Sequence, residues 1–117
     1  LSYTKYKYGK AAVSVSDTSA VVRFTLQNTG ARSGAEVVQV YVADRKSSLK
    51  RPAKELKAFR KVFLQSGESK EVELKLDKSA FSFYDDRQGD WVLEPGEFNI
   101  LIGSSSSDIR SKSRVKL

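Results

Sequence analysis

Two alternating runs between Val21 and Val42 constrain the fold of this chain more than any other feature. In the first, Val22, Phe24 and Leu26 share one parity, while Val21, Arg23, Thr25 and Gln27 share the other. In the second, Val38, Val40 and Val42 share a parity, opposed by Val37, Gln39, Tyr41 and Ala43. Successive side chains of a strand point to opposite faces, so this period of two marks half-buried β-strands. Asn28-Thr29-Gly30 and Ser33-Gly34 fill the gap with residues that tolerate turn conformations. The rest of the chain repeats the pattern.

Ahead of these runs, Tyr3, Lys5 and Lys7 alternate with Thr4, Tyr6 and Tyr8 in an extended arm that ends at Gly9. Ala11 to Ser16 reads as a strand through Val13 and Val15, turned by Asp17-Thr18-Ser19. A polar connection from Asp44 to Arg51, closed by Pro52, leads to Leu56, Phe59, Val62 and Leu64 at mixed spacing, which suits an irregular strand or a short turn before one. After the turn Gln65-Ser66-Gly67-Glu68, Val72, Leu74 and Leu76 alternate with charged residues. Phe81 and Phe83 oppose Ser82 and Tyr84, and Asp86-Arg87-Gln88-Gly89 turns into Trp91-Val92-Leu93. Pro95-Gly96 fits the centre of a type II turn before Phe98, Ile100 and Ile102. Gly103 to Asp108 reads as a Ser-rich loop, and a last run sets Ile109, Val115 and Leu117 against Arg110, Lys112, Arg114 and Lys116. About seven to nine short strands, with turns roughly every 8–12 residues and no long helix, predict an all-β antiparallel sandwich. Phe24, Val40, Leu74, Phe98 and Ile100 are its expected core.

At 117 residues the chain suits one domain with its own core. No apolar run reaches the roughly 20 residues of a membrane helix. Leu1-Ser2-Tyr3-Thr4 offers neither an initiator Met nor an apolar leader, so the sequence reads as a piece of a longer protein. It contains no Cys, which excludes disulfides and suits any compartment, secreted or intracellular. It also contains no His, the commonest acid–base group and metal ligand. No metal or cofactor is implied.

The net charge is +7, and eight cations crowd Arg45, Lys46, Lys50, Arg51, Lys54, Lys57, Arg60 and Lys61 against Glu55 alone. Arg110, Lys112, Arg114 and Lys116 form a second candidate basic face. Nucleic-acid recognition would require exposed aromatics or a known motif beside such charge, and neither is evident. A solvated surface is the favoured reading, with domain docking or adsorption to an anionic polymer as rivals. Asp85, Asp86, Asp90 and Glu94 flank Gly89 and Pro95-Gly96, where acids serve turns; they also lack the EF-hand spacing. Gln88-Gly89-Asp90 lacks the arginine of an adhesion tripeptide. Trp91 is assigned to the core over a sugar-stacking role, since aromatics carry much of core burial. Tyr3, Tyr6 and Tyr8 are read as an arm docking on a neighbouring domain.

Several segments occur together in a familiar order: Leu1-Ser2-Tyr3-Thr4, Asn28-Thr29-Gly30, Gly34 to Val42, Arg51 to Phe59, Glu94-Pro95-Gly96 and Gly103 to Arg110. Over essentially the whole chain they resemble the C-terminal fibronectin type III-like domain of glycoside hydrolase family 3 β-glucosidases, and fungal members in particular. Ala58 stands where that family usually has Gly, a change expected to touch only a turn. The resemblance implies residues 1–9 as a linker arm leaving a preceding α/β domain, and residues 10–117 as the sandwich. It implies a parent enzyme whose catalytic carboxylates lie in a barrel and that α/β domain, so this chain carries no catalytic residue. The expected role is a non-catalytic accessory domain, monomeric when isolated, that buttresses the barrel and α/β domains. The rival is a module that holds the enzyme to cell-wall polysaccharide or lignin-like polymer through its cations. Neither nucleic acid nor membrane is an expected partner.

Overall fold

Strand β3 (Ser19–Asn28) sits at the centre of the first of two packed sheets and buries every second residue from Ala20 to Asn28. The computed structural model describes residues 5–16, 19–44, 55–93, 96–105 and 107–116. Strand β6 (Ser69–Leu76) pairs antiparallel with β3 along one edge, setting Val72 opposite Phe24 and Leu74 opposite Val22. Two shorter strands share the other edge. In β1 (Tyr6–Tyr8) Tyr8 faces Leu26, and in β2 (Ala12–Ser16) Val13 faces Val22. They lie end to end, and the Gly9 amide donates to the Thr25 carbonyl at 2.7 Å to hold the junction against β3.

The second sheet runs β10 (Asp108–Lys116), β9 (Glu97–Ser105), β4 (Gly34–Asp44) and β5 (Glu55–Leu64), antiparallel throughout. Its inner face presents Val38, Val40, Val42, Val62, Leu64, Phe98, Ile100, Ile102 and Val115 to the first sheet, all buried. A 3-10 helix (Lys78–Phe81) follows β6 and drives Phe81 into the core, where it meets Phe98 edge to face at 5.2 Å. All five expected core residues are buried. The sandwich is therefore the architecture that the alternation predicts.

The structure departs from the sequence reading at three places. Trp91 is 63% exposed, because among the described residues β7 (Ser82–Asp85) and β8 (Asp90–Leu93) pair only with each other, as a ribbon outside both sheets. The segment read as a Ser-rich loop is strand up to Ser105 and again from Asp108, since β9 and β10 form a hairpin. A methyl group at Gly103 would strike the Asp108 carbonyl, so glycine is what lets the two strands close so tightly there. Ala58 lies within β5 opposite Val40, not in a turn, and the register shifts beside it between Val40 and Tyr41. The irregular strand expected from Leu56 to Leu64 is thus one strand with a bulge. The turn reading of the acidic cluster agrees with the structure around Gly89, while Glu94 and Pro95 lie outside the described residues: residues 86–89 form the turn, Gly89 has φ of 66°, and Asp90 Oδ1 accepts from the Trp91 amide at 2.8 Å.

Candidate docking surfaces

The outer faces of the two sheets differ in chemistry. On the first, Arg23 pairs with Glu73 at 2.7 Å, Thr25 lies opposite Glu71, and Val21 opposite Lys75. That face is wet, as the exposed side of a half-buried sheet should be. On the second, the outward rows set Phe63 opposite Ala35, Lys61 opposite Val37, and Phe59 opposite Gln39. The next row crosses all four strands, from Leu56 through Tyr41 and Leu101 to Lys112. Phe59 is 69% exposed, Phe63 56%, Leu56 47% and Val37 39%. Scattered surface apolar residues are ordinary, but four large ones on adjacent rows of one face form a patch. Mixed spacing groups Phe59 with Val62 and Leu64, whereas parity through Phe63, Lys61 and Phe59 separates it from them.

Of the first basic group, Lys57, Arg60 and Lys61 fall among the described residues, and Arg45, Lys46, Lys50, Arg51 and Lys54 lie outside them. Lys57 Nζ reaches Glu55 Oε2 at 3.8 Å. Arg60 and Lys61 are adjacent in a strand, so they leave on opposite sides; Lys61 shares the outer face with Phe59, and Arg60 shares the parity of Val62. In β10, Lys112, Arg114 and Lys116 do follow one another outward, and Arg114 pairs with Glu97 at 3.7 Å.

Arg110 serves a separate purpose. Register shifts on either side of Ile109 bend the start of β10, and the Arg110 guanidinium grips Asp108 with Nε at 2.8 Å and Nη2 at 3.0 Å. Nη1 donates to the Tyr6 carbonyl at 3.2 Å, and the guanidinium stands 5.3 Å from the centre of the Tyr8 ring. Hydrogen bonds from Arg110 and then Ser104 hold the Asp108 carboxyl down at about 2. The same bond to Asp108 raises the Arg110 pKa. Tyr8 stacks on Phe24 with ring centres 5.5 Å apart and donates its hydroxyl to Glu36 Oε2 at 2.9 Å. Burial, followed by the Glu36 hydrogen bond and charge, pushes the Tyr8 phenol well above its usual range. Tyr6 and Tyr8 thus pack on this domain's own core, and Tyr3 lies outside the described residues. Their constellation with Arg110 closes one flank of the sandwich.

Beside this flank, Asn28 lies opposite Tyr6 in the first sheet and is fully buried. Its Nδ2 donates to the carbonyls of Arg32 and Leu64 at 2.9 and 3.1 Å, and its Oδ1 accepts from the Gly30 amide at 2.9 Å. The described acids Glu36, Glu55, Glu73, Glu97 and Asp108 each meet a local partner. Among the described residues no cluster of acids suited to a metal occurs.

Known proteins share this arrangement. The thermostable β-glucosidase B of Acetivibrio thermocellus is 50% identical over 121 residues, covering 100% of this chain and 16% of that protein. The exo-α-(1→6)-L-arabinopyranosidase of Bifidobacterium breve is 44% identical over 118 residues, again 100% of this chain and 16% of that one. The crystal structure of the Bifidobacterium adolescentis GH3 β-glucosidase superposes with a TM-score of 0.95 at 42% identity, over 100% of this chain and 18% of that one. The chain thus spans about one sixth of the curated relatives it matches. Fungal β-glucosidases match as well, so the resemblance extends across bacteria and fungi and is not particular to fungal members. The fibronectin type III-like domain profile covers residues 36–106, most of β4 and all of β5 to β9, and the chain belongs to that domain family.

Proposed function

We propose that this chain is a non-catalytic accessory domain of a glycoside hydrolase family 3 enzyme, one that removes terminal non-reducing β-D-glucosyl residues. The observation that carries this reading is the full-length match to a stretch of about one sixth of much longer glycosidases. Those relatives are named for different sugars, a β-glucosidase and an arabinopyranosidase, while sharing this domain at 50% and 44% identity. A part held in common by enzymes of different named specificity suits a structural task better than substrate choice. Retaining glycosidases work with two carboxyl groups about 5–5.5 Å apart flanking the bond to be cut. Among the described residues, Glu73, Glu97 and Asp108 are instead committed to ion pairs, Glu36 to a phenol and Asp90 to a turn.

On this reading residues 1–9 arrive from a preceding α/β domain, and β1 fastens the end of that arm into the first sheet. The domain stabilises the barrel and α/β domains by docking on them. Adsorption to lignin-like polymer or cell-wall polysaccharide through the first basic group gains no support from its described members, since Lys57 engages Glu55 while Arg60 and Lys61 diverge. The test compares the 117-residue chain with the longer protein that contains it, using 4-nitrophenyl β-glucoside. The isolated chain should stay at buffer background and the longer protein should turn over. Deleting this domain should lower the melting temperature of the remainder. Turnover that co-purifies with the isolated chain, or a longer protein without glycosidase activity, would refute the reading.

A further inference from the structure

We propose that the outer face of the β5–β4–β9–β10 sheet is where the rest of the parent polypeptide seats this domain, with Phe59 and Phe63 as anchors. This deepens the functional reading above and rests on it for the existence of that polypeptide. An antiparallel sheet packed on one side carries polar residues on the other when that side meets water. The first sheet obeys this rule with Arg23, Glu71, Glu73 and Lys75. The second breaks it at four outward positions on neighbouring rows. Strand β5 is moreover an edge, where charge and proline ordinarily discourage contact, yet it presents two phenylalanines to the outside.

The dimensions suit a contact between domains of one chain. Four strands about 4.8 Å apart and about nine residues long at ~3.4 Å each give a face of roughly 500–600 Å². Interfaces between domains of one chain bury about 600–1,500 Å² counted over both sides, so one such face is sufficient. The relatives supply the occupant, because about five sixths of each lies outside the region matched by this chain.

Charge narrows the choice further. Lys61 lies between the Phe59 and Phe63 rows, Lys112 ends the row that begins at Leu56, and Arg114 one row further on is already paired with Glu97. The surface that meets this face therefore combines apolar groups with carboxylates opposite Lys61 and Lys112. A second copy of the chain is a poor occupant, since a two-fold contact would bring the same cations against each other.

Hydroxyl-radical footprinting of the full-length parent and of the 117-residue chain would test the assignment. Labelling of Phe59 and Phe63 should fall several-fold in the parent, while the β6 peptide on the opposite outer face keeps its labelling. The pair Phe59→Ser and Phe63→Ser should leave the melt of the isolated chain nearly unmoved and make the parent more susceptible to limited proteolysis. Unchanged labelling in the parent, or protection on the β6 face instead, would overturn the proposal. So would concentration-dependent protection of Phe59 in the isolated chain, which would name a second copy as the occupant. A parent without β-glucosidase activity refutes the functional reading, while its footprint still reports separately on whether this face is covered.

Discussion

Asn28 has no exposed surface, yet its side chain is bonded at both ends, to the Arg32 and Leu64 carbonyls and to the Gly30 amide. Its backbone also takes part, for the Asn28 amide donates to Glu68 and the Gly67 amide donates to the Asn28 carbonyl. One residue thereby ties the β3–β4 connection to the β5–β6 turn. Leaving a buried polar group without a partner costs about 1–3 kcal/mol. Asn28→Ala strands several at once, so urea denaturation should show a loss of about 2–4 kcal/mol, discounted for water reaching the site near the turn. A second residue-scale prediction follows from Asp108. Its pKa is depressed from 3.8 to about 2, so the stability it contributes is present above the unfolded value and is lost as pH falls through the folded one. Melting temperatures should decline between about pH 4 and pH 2. Asp108→Asn should flatten that slope. Tyr8 has the opposite sign: its pKa is raised, so its contribution is intact below its unfolded pKa of about 10 and is lost as pH rises beyond it. Tyr8→Phe should soften the alkaline limb.

Strand by strand, one residue type carries two meanings. Phe98 in β9 is fully buried, and Phe59 in β5 is 69% exposed. In the isolated chain Phe98→Ala should cost about 3–5 kcal/mol. Phe59→Ser should stay within about 0.5 kcal/mol, and paired denaturant titrations of the two variants would check the contrast. The sequence made Phe98 legible because Ile100 and Ile102 continue its parity, as Val22, Phe24 and Leu26 do in β3. Phe59 was harder to read, since the bulge beside Ala58 breaks the alternation and invites grouping with the nearest aliphatics. Trp91 could not be placed from composition at all. Its exposure depends on the β7–β8 ribbon lacking a partner sheet, a tertiary fact with no local signature. Arg110 is equally opaque in sequence: its parity continues that of Lys112 and Arg114, and the paired register shifts turn it toward Tyr6 and Tyr8.

At the scale of the molecule, one core shared by both sheets predicts a single cooperative melt with an all-β circular dichroism spectrum. Distinct transitions for the two sheets would contradict it. The flank closed by Arg110 has a kinetic consequence. The bond from Arg110 to the Tyr6 carbonyl spans 104 positions, joining the first described strand to the last. Contacts so distant in sequence must overcome the entropy of closing a long loop, and they form late on the path to the native state. Interactions absent from the transition state slow unfolding without speeding folding. Arg110→Ala should therefore shift the unfolding limb of a stopped-flow chevron upward and leave the refolding limb nearly in place. In that sense the side chain acts as a latch on the finished sandwich, setting how long the native domain persists and not how quickly it is reached.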